Sequence, residues 1–114
     1  ALEAFGSDHM REELRMLRDA VLAHGEPSPR VLAEGLDVLE TGDLRAALPG
    51  LRTPSLWIGG RRDRLVDPRA MQAAAQLAPA ARFVEVAHAG HAPFLTHADA
   101  VAGALQDFLA EVAA

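Results

Sequence analysis

The sequence predicts an α/β protein: two parallel strands flanked by helices, with a helical segment ahead of them. Two observations carry this. The apolar run "PSLWIGG" ends in paired glycines, and "ARFVEVA" is a second short apolar run. Each is followed by a loop and then by a stretch of helical spacing, an order that brings neighbouring parallel strands together.

The elements follow in order. Residues 8–24 read as an amphipathic helix capped by Asp8, with Met10, Leu14, Leu17 and Val21 as its buried stripe. Arg11, Arg15 and Arg18 form a second stripe on it. "GEPSP" then breaks the chain. A helix over 29–41 follows, with Ser28 as cap, Pro29 at its first position, and Val31, Leu32, Leu36 and Leu39 facing inward. "TGDLRAALPGLRTP" reads as a short helical turn and a loop. After the first strand, "RRDRLVD" is a loop, and Asp67 and Pro68 open a helix to about residue 78. The second strand leads into "HAGHAPF". Thr96 is expected to cap a last helix over 97–112, with Val101, Leu105, Phe108, Leu109 and Val112 inward. The reading divides the chain into 1–42 and 43–114. A two-stranded parallel sheet leaves both outer edges unpaired, so a larger sheet or a second chain is expected to complete it.

The composition excludes several function classes. The net charge of -5 argues against general binding to nucleic acid or to anionic membranes. The absence of cysteine removes disulfides and thiolate chemistry, and fits a reducing, cytoplasmic setting. No apolar run approaches the roughly 20 residues of a membrane span.

Functional loops of open α/β sheets gather at the carboxyl ends of the strands. Here they are 60–67 and 88–95, offering Asp63 and Asp67 from one and His88 and His91 from the other. Adjacent strands lie about 4.8 Å apart, so the two loops can touch. An aspartate bonded to one imidazole nitrogen fixes the tautomer and frees the other nitrogen to act as a base. Asp67, directly before Pro68, is assigned to helix capping. Asp63 has no such local role. It either pairs with Arg61, Arg62 or Arg64, or serves a histidine. A metal site at His88, His91 and His97 is not supported. Histidines three apart pair as ligands mainly on helices, Gly90 and Pro93 interrupt this stretch, and no cysteine or close carboxylate completes a shell. His91 follows a glycine expected to let the backbone turn closely, and the apolar "APF" after it is expected to exclude water. His88 reads as a polar residue at the strand rim.

These stretches resemble the α/β-hydrolase family. "LRTPSLWIGGRRDRLVD" looks like its acid-bearing strand and loop, and "FVEVAHAGHAPFLTHADAVAGALQDFL" like its histidine loop and final helix, in the family's order of acid before histidine. Within that family the resemblance is closer to the esterases that cleave the methyl ester of pimeloyl-acyl-carrier protein in biotin synthesis. "GHAPFLTH" is similar to their histidine motif, with Gly90 where they have alanine, and Gly60–Val66 to their Gly-x-x-Asp-x-Leu-Val loop. "GLDVLETGDLRAAL" and "ALEAFGSDHMREELRMLR" are similar to their cap-to-core connection and to part of their helical cap.

By position, the resemblance implies Asp63 as triad acid and His91 as general base, with no cofactor and no metal. It implies Ala1, Leu2 and Glu3 beside His91 in the acyl pocket, Glu3 standing where the family has glutamine. It implies Arg11 and Arg15 as contacts to the carrier protein. Such an enzyme needs a nucleophile in a Gly-x-Ser-x-Gly elbow. The only serines, Ser7, Ser28 and Ser55, are not in one. The chain is therefore expected to be the C-terminal part of a longer hydrolase, inactive alone, with its nucleophile, oxyanion hole and most strands in an N-terminal half. Dehalogenases, epoxide hydrolases and carbon–carbon bond hydrolases share the same two loops, and a non-catalytic docking fragment is a third reading.

Overall fold

The structure, a computed structural model, describes residues 8–114, with side chains from Arg11 onward except that of Glu13. It divides into two compact units, 1–42 and 43–114.

The first unit holds α1 (Asp8–Leu22) and α2 (Pro29–Thr41). α2 begins as expected: Ser28 Oγ accepts the Val31 amide at 3.2 Å and Pro29 fills the first helical position. Asp8 is the first residue of α1 rather than the residue before it, and the preceding position lies outside the described residues. Between the helices Gly25 has φ 88°, a left-handed conformation that glycine adopts without a Cβ penalty. The expected burial is not found. Leu17 and Val21 on α1 are exposed, as are Val31, Leu32, Leu36 and Leu39 on α2, Leu39 by 80%. Of the expected positions with described side chains, only Leu14 is half-buried. Met10 lies outside the described side chains.

The second unit opens with a 3₁₀ segment, Arg45–Gly50. Asp43, two residues ahead of Arg45, takes the Arg45 guanidinium and amide, and that pairing holds the exposed carboxyl at a pKa of about 2. β1 (Ser55–Gly60) and β2 (Ala81–Val86) pair in parallel, with Trp57 opposite Phe83 and Gly60 opposite Val86. α3 (Pro68–Leu77) connects them. Asp67 caps it, accepting the Arg69 amide at 2.9 Å.

The two faces of the sheet follow from strand alternation. Gly59 and Phe83 share the face that meets Met71 of α3. Arg82 and Val84, on the opposite face, line a groove with Ala100, Gly103 and Ala104 of α5 (Ala98–Ala113), and Arg82 forms an ion pair with Glu111. The core is small: Ala75, Ala78, Val86 and Ala89 are its buried apolar residues among those described.

The end of the chain departs from expectation. α4 (Pro93–Thr96) is a separate turn ahead of α5. His97, not Thr96, occupies the position before α5. The Thr96 hydroxyl instead lies 2.7 Å from His97 Nδ1 and donates to the Ala92 carbonyl at 3.4 Å. Leu105, Leu109 and Val112 are exposed, whereas Val101 and Phe108 are half-buried.

Candidate active site

The site forms where the two strand-end loops are laced together by backbone hydrogen bonds. The Arg61 amide donates to the Val86 carbonyl at 3.0 Å, and the Arg62 amide to that of Ala89 at 2.9 Å. Gly60 makes this approach possible. A Cβ there would collide with the carbonyls of Gly90 and Ala89. Gly90, the glycine expected to let the backbone turn closely, has no such role: a Cβ there meets nothing and its φ is not positive. The constraint lies one strand over, where the acid loop leaves β1. The signal available in the sequence was the second glycine of "IGG" at a strand end, a mark of close backbone approach.

Within this frame Asp63 uses its two oxygens differently. Oδ1 accepts the amides of Leu65 and Val66, at 2.8 and 3.0 Å. Oδ2 lies 3.0 Å from His91 Nδ1. The Asp63 side chain is only 4% exposed, whereas that of His91 is 56% exposed. Burial alone would raise the Asp63 pKa. The Val66 amide, His91 and the Leu65 amide outweigh burial and hold the carboxyl below its ordinary value. Asp63 is therefore ionised near neutral pH and can only accept, so His91 Nδ1 carries the proton of this bond. His91 Nε2 has no hydrogen-bond partner among the described residues and keeps a lone pair free to take a proton.

Asp63 pairs with none of Arg61, Arg62 and Arg64, all of which are exposed. Asp67 stays with its own helix and with Arg69, whose guanidinium lies 3.3 Å away. Asp67 thus takes the capping role expected of it, whereas Asp63, expected to have no local role, holds its own loop as well as meeting His91. The backbone anchors of Asp63 were not anticipated, although an aspartate accepting amides two and three residues on is an ordinary turn device. His88 is exposed in the turn after β2. The "APF" segment does not exclude water as expected: Pro93 is buried, but Phe94 is 68% exposed. The side chain turns outward, and no described residue closes over His91.

Among the described residues no cluster of His, Asp and Glu has metal-binding geometry, and no helix is long and apolar enough to cross a membrane. Ala1, Leu2 and Glu3 lie outside the described residues. Arg11 and Arg15 are exposed on α1.

A carboxylate anchored by backbone amides and bonded to a histidine, at successive parallel strand ends, is the arrangement by which hydrolases hold an imidazole base. The family described as alpha/beta hydrolase fold matches residues 6–98. The chain belongs to the α/β-hydrolase family. It is 62% identical over 110 residues to the pimeloyl-[acyl-carrier protein] methyl ester esterase of Stenotrophomonas maltophilia, covering 96% of this chain and 42% of that protein. It is 56% identical over 112 residues to the enzyme of the same name from Xanthomonas oryzae pv. oryzae, covering 98% of this chain and 44% of that one. Among solved structures, a thermophilic esterase from Thermogutta terrifontis with malate bound superposes with a TM-score of 0.59 at 33% identity, covering 61% of this chain and 26% of that one. The chain thus spans about two fifths of the length of the curated relatives it matches.

Proposed function

We propose that this chain is the C-terminal portion of a serine carboxylesterase that removes the methyl group from pimeloyl-acyl-carrier protein in biotin synthesis. The observation that carries the reading is the Asp63–His91 contact at 3.0 Å, on a sequence 62% identical to an esterase of that name. The relatives' names favour ester hydrolysis over the dehalogenase, epoxide hydrolase and carbon–carbon hydrolase alternatives. On this reading residues 1–42 are part of a helical cap and 43–114 the end of the hydrolase core. The nucleophilic serine, its elbow and the oxyanion donors come from an N-terminal portion. The cysteine-free sequence fits a cytoplasmic enzyme.

The chemistry follows from the protonation pattern. Asp63 holds the proton on Nδ1, so His91 Nε2 takes the proton of the serine hydroxyl as the oxygen attacks the ester carbonyl. The imidazolium that forms is stabilised by Asp63 and returns the proton to the departing methoxide, releasing methanol. Water, deprotonated by the same nitrogen, then attacks the acyl-serine, and as the acyl–oxygen bond breaks Nε2 returns that proton to the serine oxygen, freeing the acid. Ala1, Leu2 and Glu3 line the acyl pocket in this reading, and Arg11 and Arg15 meet the carrier protein. Neither step uses a cofactor or metal.

The test joins this chain to the N-terminal portion of the Stenotrophomonas relative and follows methanol release from the methyl ester of pimeloyl-acyl-carrier protein. Turnover that disappears with His91→Ala is the expected result. No turnover from a folded, joined protein would overturn the substrate assignment.

A further inference from the structure

The acid loop carries more positive charge than its chemistry uses. Four of the chain's 11 basic residues fall between positions 61 and 69. Arg69 is paired with Asp67. Arg61, Arg62 and Arg64 are exposed and make no ion pair or side-chain hydrogen bond among the described residues. The loop's own carboxylates are engaged: Asp63 serves its backbone amides and His91, and Asp67 serves the helix cap and Arg69. Glu85, on the neighbouring strand, can offset at most one of the three charges. Clustered like charges repel, and in a chain of net charge -5 such a cluster is a local departure that no ion pair among the described residues offsets.

The backbone that carries the three arginines is also held in place. The amides of Arg61 and Arg62 are bonded to the histidine loop, and those of Leu65 and Val66 to Asp63, so the rim that bears the arginines is fixed relative to His91. We infer that Arg61, Arg62 and Arg64 form a docking rim for an acidic face of the protein that carries the ester, seating its acyl arm over His91. The choice of occupant rests on the esterase reading above. A single small anion is the poorer match. The groove of about 720 Å³ beside the loop is lined by Arg61, Arg64 and Arg69 but equally by Asp63, Asp67 and Glu85, and Arg62 lies outside it. Its charges are balanced within and spread around the rim, which suits several carboxylates on a broad surface. Arginine's planar fork pairs with carboxylates in two-point fashion.

The experiment titrates the isotope-labelled chain with an acyl-carrier protein bearing its phosphopantetheine arm, following backbone amide shifts. Shifts at residues 60–66 and 88–91, in addition to those at the Arg11 and Arg15 contacts of the esterase reading, are expected, and they weaken with salt. The triple variant Arg61→Gln, Arg62→Gln, Arg64→Gln is expected to bind at least about tenfold more weakly, and the corresponding triple Lys variant to recover much of that loss. If the Gln triple does not fold, the single reversal Arg62→Glu replaces it, with the same loss expected. Absence of binding to the unaltered chain, unchanged affinity after charge removal, or equal binding of free phosphopantetheine to the same amides would overturn the proposal. This titration needs no catalysis, so it fails or succeeds independently of the methanol-release assay.

Discussion

At the residue scale, the site depends on one carboxylate with two roles. Asp63 Oδ1 is tied to the loop and Oδ2 to the histidine, so changing the side chain affects position and charge separately. Asp63→Asn keeps the loop contacts only by aiming its single oxygen at the Leu65 and Val66 amides, which turns an amide donor toward Nδ1. In the joined enzyme kcat is expected to fall by about 10⁴, as for tautomer loss in serine hydrolases, with KM nearly unchanged. The same carboxylate sets a pH dependence. Its pKa is lowered on folding, so its contribution to stability is complete above the ordinary aspartate value of about 3.9 and is lost as pH falls through the lower folded value. Denaturation midpoints measured across that acidic window should fall with pH in the natural chain, and less steeply in Asp63→Asn. Gly60 gives a third expectation. Gly60→Ala forces the two loops apart and should cost about 1–3 kcal/mol, whereas Gly90→Ala should stay within about 0.5 kcal/mol. Chemical denaturation of the two variants distinguishes them.

At the element scale, local signals located most of the structure. Ser28 with Pro29, and Asp67 with Pro68, mark the starts of α2 and α3 through cap chemistry that is complete within a few residues. The strands were legible as apolar runs bounded by glycine or by a change of pattern, and their parallel pairing followed from the intervening helix. The start of the last helix was not. Thr96 has the residue type of a cap, but Pro93 starts a short turn of its own, and the threonine hydroxyl is drawn to Ala92 and His97. The close approach at Gly60 was marked only by a glycine at a strand end, and its partners, the Ala89 and Gly90 carbonyls, lie 29 and 30 residues on in sequence. Asp67→Ala separates cap from site. It should cost about 1 kcal/mol of stability, by thermal or chemical denaturation, while leaving the His91 tautomer unchanged.

At the scale of the whole chain, the burial pattern is that of surfaces prepared for more protein. Leu32, Leu36 and Leu39 on α2, and Leu105, Leu109 and Val112 on α5, are exposed although their spacing is that of core positions. Full burial of such side chains stabilises by about 1.5–3 kcal/mol each, so leaving them in water forgoes a large share of a domain's stability. Periodicity can say which face of a helix is apolar but not whether this chain supplies what covers it. Relatives more than twice as long offer the physical reason for the difference. The isolated chain is expected to bind a hydrophobic dye such as ANS and to show no turnover of short p-nitrophenyl esters; joining the N-terminal portion should suppress the first and restore the second.

The claim on which the rest stands is that Asp63 fixes the proton of His91 on Nδ1 and leaves Nε2 as the base. Nitrogen NMR of the neutral His91 ring in this chain reads that directly. The predicted result is a protonated Nδ1 and an unprotonated Nε2, with the preference lost in Asp63→Asn. A ring protonated mainly on Nε2, or one indifferent to the Asp63 substitution, would contradict it.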